Sequence, residues 1–398
     1  MSLFDKLKPT VDRLAAAGPG AVPFDTAIEA VLGPTEVVID GRRTLMCGSN
    51  NYFGLSFHPE VIAAARAALE AEGAGTTGSR AANGTYAGHR RLERQFAERY
   101  GMRHAQIFTT GYQANLALIS GLCGPDDAVL VDVESHASIY DGARLSGAKI
   151  FAFRHNSSDD LRRKLARVAD PSRCLVVIEG LYSISGDVAP VASFAEVCRD
   201  AGALLMVDEA HSFGAYGAHG LGRAEDEGVL DRVDFIVGTF SKTLAGVGGF
   251  CVSNHEWLKV LHFTSRPYVF TASASPAAVA GVEAALRVLD RDPGLRVRLW
   301  ENVRRARAGL EAAGFDIGRT ESPIVPVTIG TADRAIAFWR GLLEQGVYAN
   351  LVLPPATRPD ACLLRTSYSS SHTVEEIERA VTALAEVGRA FAVIPTPV

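Results

Sequence analysis

Through the middle of the chain, short apolar runs alternate with longer stretches whose apolar positions recur every three or four residues. The runs at 106–108, 128–133, 149–153, 174–179, 203–208, 234–237 and 249–253 are apolar with little interruption. Strands buried on both faces read that way, and the intervening stretches read as helices. The alternation predicts an α/β fold with a central, mainly parallel sheet covered by helices on both faces. Before it, 3–17 reads as a short amphipathic helix ended by Gly18, Pro19 and Gly20. Residues 36–39 and 44–47 read as a hairpin turning at 41–43. An alanine-rich helix follows over 61–72, starting near His58 and Pro59, and a charged one over 89–100. After the sheet, 293–313 reads as a long helix with Asp292 as its N-cap. Strands at 324–329 and 362–367 and helices at 335–345 and 374–391 complete a smaller α/β region. The expected organisation is an N-terminal arm (1–57), a large domain (58–287) and a small C-terminal domain (288–398).

Composition changes this picture little. The chain has 398 residues, 47% of them hydrophobic and 21% charged, ordinary for a globular enzyme. A net charge of -5 argues against nucleic acid as a partner. The six cysteines stand singly, several within apolar runs and none at metal-ligand spacing. That pattern fits reduced thiols in a cytoplasmic protein. The N-terminus is charged from the start, unlike a signal peptide, and no apolar run is long enough to span a bilayer.

The candidate chemistry falls at the carboxyl ends of the expected strands, where ligands bind in sheets of this kind. Lys242 sits in a turn rich in small residues, between two buried strands, with Thr239 and Ser241 beside it. A partly desolvated amine next to hydroxyls that can hold a phosphate suits a lysine that binds pyridoxal phosphate as a Schiff base. A structural or phosphate-loop turn lysine is the plainer alternative. Asp208 and His211 follow the 203–208 strand on one turn, and His136 follows the 128–133 strand. A buried carboxylate needs a partner, and a protonated pyridine nitrogen is one. An imidazole can stack on a planar ring. A helix cap for Asp208, loop histidines, or a metal site of Asp208, His211 and His136 are the competing readings. Gly111 and Tyr112 open a helix, whose first N–H groups form an anion site. The segment 73–88 is dense in glycine and small hydroxyls, with Ser79, Arg80, Asn83, Thr85 and Tyr86 embedded in it. Glycine at that density fits close approach of backbone to a ligand, or a linker. The arginines of 296–307 fit coenzyme A phosphates or a solvated helix face, the second being the simpler.

Taken together, Gly111 with Tyr112, His136, Asp208 with His211, and Thr239 with Ser241 and Lys242 resemble the α-oxoamine synthases. These are pyridoxal-phosphate transferases of fold type I, the aspartate aminotransferase-like fold. The resemblance extends from Asn50 to Ser367, through 75–86, 135–142, 238–242, 266–273 and 354–357. It implies that Lys242 carries the cofactor and acts as base, Asp208 pairs with the ring nitrogen, His136 stacks on the ring and His211 contacts the phenolic oxygen. It assigns the phosphate to Gly111, Tyr112, Thr239 and Ser241, with Thr271 and Ser273 reaching it from the other subunit of a homodimer. Asn51, Ser79 and Arg365 match substrate positions, Arg365 as a carboxylate clamp. No metal is implied. The resemblance is strongest to members that condense L-serine with a long-chain acyl-CoA such as palmitoyl-CoA, releasing CoA and CO2. Members using glycine or alanine, or an aminotransferase, are the alternatives. One departure concerns Leu353, which stands where well-known bacterial members carry an arginine linked to the substrate carboxylate. Peripheral attachment to the inner face of the membrane is compatible with this reading.

Overall fold

The computed structural model describes residues 2–9, 11–12, 26–319 and 321–395. The chain forms two compact units, Phe53–Arg296 and a second that joins Met1–Tyr52 to Val297–Val398. Of the expected helix over 3–17, Asp5–Leu7 is a 3-10 turn and the described residues 8, 9, 11 and 12 are α-helical. Residues 13–17 and the stop at Gly18, Pro19 and Gly20 lie outside the described residues.

The unit Phe53–Arg296 is built on a seven-stranded sheet. Its order is His104–Phe108, Gly249–Ser253, Phe235–Thr239, Leu204–Asp208, Cys174–Glu179, Ala128–Asp132 and Lys149–Phe153. Gly249–Ser253 runs antiparallel to both its neighbours, and the other four pairings of the sheet are parallel. The strands 128–132, 174–179 and 235–239 are buried at every position, as their unbroken apolar runs require. Helix Gly111–Leu122 turns Ala114, Ala117, Leu118 and Ile119 into a core shared with Val129, Val131, Val177 and Met206. Because four central strands run in one direction, their carboxyl ends share one edge of the sheet. The loops leaving that edge carry His136, His211 and Lys242.

The helix at 59–72 begins at Pro59, where the His58 ring caps it by accepting the Glu60 N–H. Helix Pro276–Arg291 lies along helix Pro59–Glu72. The long helix begins at Gly294 and runs to Ala313.

In the other unit the segment expected as an arm is a structural part of the fold. Glu36–Ile39 and Arg42–Met46 form a hairpin whose turn is Asp40–Gly41, both with positive φ (48° and 70°). That two-residue turn matches the twist of the paired strands, so the turn sits one residue earlier than 41–43. Leu45 and Met46 then pair in parallel with Val347 and Tyr348, a contact between positions some three hundred residues apart. A second sheet orders Ile324–Gly330, Cys362–Ser367 and Asn350–Val352. Among the described residues, no helix is long and apolar enough to cross a membrane.

Candidate active site

The turn that carries Lys242 is pinned on both sides. Phe240 and Leu244 are fully buried, and the Phe240 ring stacks on Phe96 with centroids 5.5 Å apart. Within the turn, the Phe240 N–H reaches Gly248 O and the Gly246 N–H reaches Phe240 O. The Thr243 hydroxyl donates to Phe213 O at 2.7 Å. A Cβ on Gly248 would lie 2.2 Å from the Phe240 ring, so only glycine closes the turn here. Lys242 is half-buried between the apolar anchors at 240 and 244.

Asp208 ends the central strand, buried. Its Oδ2 accepts from Asn115 Nδ2 at 2.7 Å and its Oδ1 from the Ala210 N–H at 2.9 Å. The other Asn115 N–H goes to Ser138 Oγ at 2.9 Å, and Ser138 Oγ lies 2.7 Å from His136 Nδ1. The Ser138 N–H also points at His136 Nδ1, at 3.2 Å. Nδ1 thus accepts, and in the neutral ring the proton resides on Nε2. Partial burial lowers the His136 pKa; Asp208 opposes that shift and the Lys242 charge adds to it. The ring meets Tyr112 edge-on, 6.3 Å between centroids. One polar chain therefore connects a helix, a strand end and a loop.

These groups line one cleft of about 320 Å³, together with Gly111, Glu179, His211, Thr239 and Ser241. His211 is buried on the turn after Asp208. Thr110 caps helix Gly111–Leu122 by accepting the Gln113 N–H, while the Gly111 and Tyr112 N–H groups fall in the first turn, where a helix offers no internal partner. A Cβ on Gly111 would lie 2.7 Å from the Thr239 Cβ, so the helix start and the Lys242 turn pack directly together. Thr239 Oγ1 and Ser241 Oγ are 2.9 Å apart, placing two hydroxyls beside the helix start. A primary amine, a buried carboxylate, an imidazole and an anion site of hydroxyls and N–H groups form the donor set that pyridoxal phosphate requires. The residues present fit that group.

Several sequence expectations meet elsewhere. Thr271 Oγ1 accepts from Gln113 Nε2 at 2.9 Å. The Ser273 hydroxyl lies within hydrogen-bonding distance of Thr76 Oγ1, Gly78 O and Gly84 O, on the glycine-rich loop of its own chain. Ser79 bridges to Ala272 through its backbone. None of the three lines the cleft of its own chain. In the other unit, Arg365 is buried, with Nη2 2.8 Å from Asn50 Oδ1 and 3.5 Å from the Tyr52 hydroxyl. The Asn51 N–H is held by Ser49 Oγ. The arginine stretch of the long helix divides: Arg296 reaches Ala218 O at 3.2 Å, Arg307 is buried against Gly318 O, and Arg304 pairs with Glu321. Those contacts favour structural use over phosphate binding.

Three members of the cleft escaped sequence reasoning: Asn115, Ser138 and Glu179. Two left a signal. Asn115 interrupts the apolar face of its helix, and Glu179 ends an otherwise apolar strand in the same manner as Asp208.

Comparison with known proteins follows the same lines. The family model for class I and II aminotransferases matches residues 44–384. The serine palmitoyltransferase of Caulobacter vibrioides is 50% identical over 99% of this chain and 98% of its own. That of Sphingomonas paucimobilis is 43% identical over 99% and 94%. A solved variant of the S. paucimobilis enzyme with a bound PLP–myriocin aldimine superposes with a TM-score of 0.96 at 41% identity, covering 99% of this chain and all of the other.

Proposed function

This chain belongs to the class I and II aminotransferase family and, within it, to the α-oxoamine synthases, and from that premise we propose that it condenses L-serine with a long-chain acyl-CoA. The cofactor is pyridoxal phosphate, and the products with palmitoyl-CoA are 3-ketodihydrosphingosine, CoA and CO2. The observation that carries this reading is the convergence of Lys242, Asp208, His136 and the helix start at Gly111 on one cleft, in a chain collinear with its serine-using relatives.

When bound, pyridoxal phosphate supplies an electron sink that stabilises negative charge at the amino-acid Cα. Asp208 keeps a proton on the ring nitrogen, and Asn115 and the Ala210 N–H fix the carboxylate for that task. His136, oriented through Ser138, would pack against the cofactor. His211 holds the phenolic oxygen. The Gly111 and Tyr112 N–H groups with Thr239 and Ser241 bind the phosphate. Lys242 Nζ would hold the cofactor, and its amine is the group placed to take the proton from the serine Cα. The Cα then bonds to the thioester carbonyl carbon as the C–S bond breaks and CoA leaves. Loss of the carboxylate as CO2 and return of a proton to Cα complete the reaction.

The protein acts as a homodimer, with Thr271 and Ser273 serving the phosphate end of the partner's cleft. Ser273 has the smaller part, because its hydroxyl is engaged within its own chain. Arg365 and Asn51 bind the substrate, and with leucine at 353 the carboxylate role rests on Arg365. Ser79 orders the glycine-rich loop beside the substrate.

The test is CoA release from palmitoyl-CoA with serine, glycine or alanine. Release with serine alone, accompanied by a long-chain ketone, supports the reading. Release with glycine or alanine alone would keep the fold and the cofactor chemistry and reject serine. Arg365→Lys, which loses the planar fork but keeps the charge, should raise KM for serine by about tenfold or more.

A further inference from the structure

The cleft holds a second buried carboxylate for which the reaction above has no use. Glu179 ends strand Cys174–Glu179 as Asp208 ends its neighbour, and the two are paired in register on adjacent parallel strands. Residues in register on neighbouring strands point to the same face, and both line the cleft. Both are buried, at 4% and 5% exposure. Burial and a neighbouring negative charge both disfavour a charged carboxyl group at such a place.

The two carboxyl groups differ in their hydrogen bonds. Asp208 is supported at both oxygens, by Asn115 Nδ2 and by the Ala210 N–H. Glu179 accepts at Oε1 from the backbone N–H of His136. The charged groups around it are Asp208, Asp132 and Lys242, with the Tyr182 hydroxyl near its own N–H. Two of those three charges are negative. Desolvation first, and Asp208 next, push the Glu179 carboxyl well above the usual carboxylate range, against the His136 N–H and Lys242.

We propose that Glu179 is a positioning residue: as a neutral carboxylic acid it anchors the backbone of His136 and adds no second negative charge at the floor of the cleft. It acts through His136 and Asp208, and the inference rests on the cofactor reading above. A neutral acid accepts the His136 N–H through its carbonyl oxygen as a carboxylate would, without a second negative charge beside the ring nitrogen. The stacking histidine is then held at two places, its backbone by Glu179 and its ring by Ser138.

The experiment compares Glu179→Gln and Glu179→Ala in the full chain. Affinity for pyridoxal phosphate is measured by absorbance titration, and the bound cofactor's visible absorbance is followed against pH. Glutamine keeps the acceptor and lacks the charge, so E179Q should bind within about twofold of the wild type with an unchanged pH midpoint. Alanine leaves a buried N–H without its acceptor, which should weaken binding by about tenfold. Weakening by E179Q as large as that by E179A would overturn the neutral acid, as would a displaced pH midpoint in E179Q. Wild-type binding by E179A would overturn the anchor. Should E179A fail to fold, Glu179→Asp, one methylene short of His136, takes its place with the same expectation. These readouts do not involve the acyl substrate, so a wild type that binds cofactor but makes no ketone would sink the serine condensation and leave the Glu179 comparison intact.

Discussion

Two polar clusters in the unit Phe53–Arg296 use similar residues to opposite ends. Around Arg80, Nε donates to Thr85 Oγ1 at 3.1 Å, Nη1 to Ile107 O at 3.3 Å and Nη2 to Glu93 Oε1 at 2.8 Å. The guanidinium also lies 5.7 Å from the Tyr268 ring centre. Asn83, Thr76 and Ser273 tie the surrounding glycine-rich loop together. The hydrogen-bonding capacity of this cluster is spent within it, and the cavity beside it is only about 10 Å³. Around Asp208 the hydrogen bonds run from the walls inward, and the carboxylate, imidazole and helix start face an open space of about 320 Å³. Richness in glycine, serine and threonine does not separate structure from chemistry. The direction in which satisfied groups still point does.

The largest break in that comparison is Lys242→Ala. It should lower CoA release by about a thousandfold or more while leaving the denaturation midpoint nearly unchanged, because Phe240 and Leu244 anchor the turn. Retained turnover would reject Lys242 as the base. Next comes Arg80→Met, which strands Glu93 in a buried position. Breaking such a pair costs about 3 kcal/mol, read as a lower urea midpoint, with the residual Arg90 contact to Glu93 keeping it near that figure. A midpoint equal to the wild type's would show that the knot is dispensable.

Glu209 sharpens the contrast with its neighbour Asp208. It is buried, accepts from Ser212 Oγ and the Arg223 and Ala224 N–H groups, and does not line the cleft. Burial pushes its carboxyl up to about 7, against those hydrogen bonds. A raised carboxyl pKa means that the folded state binds the proton more tightly than the unfolded chain. Stability is then greatest below the ordinary value of 4.5 and declines as pH rises from there to about 7. The loss is about 2–3 kcal/mol. Glu209→Gln should flatten that slope in urea titrations taken across the range, and an unaltered slope would remove Glu209 as its source. The smallest effect belongs to Ser273→Ala, which removes one hydroxyl that bonds to the glycine-rich loop and should cost about 1 kcal/mol. A loss well beyond that in cofactor affinity would instead point to the phosphate role in the partner's cleft.

The strands of the large sheet were readable because each is buried on both faces, so its composition alone marks it. Lys242 was readable as a candidate because a cation between two such strands has few other reasons to be there. Ser138 carried no such mark, since a serine near a helix start is ordinary, and only its place between Asn115 and His136 gives it a role. The pairing of Leu45 and Met46 with Val347 and Tyr348 was equally hidden. Strand partners distant in sequence leave no local periodicity, and the hairpin therefore looked like an arm.

The sequence by itself determined the α/β alternation, the strand ends that carry Asp208, His136 and Lys242, and the helix start at Gly111, because burial and chain direction act locally. Tertiary structure alone decided that Asn115 and Ser138 orient those groups, that Glu179 stands in register with Asp208, and that Ser273 is engaged by its own glycine-rich loop. Those are matters of distance between remote segments, and hydrogen bonds that form only across such distances have no signature along the chain.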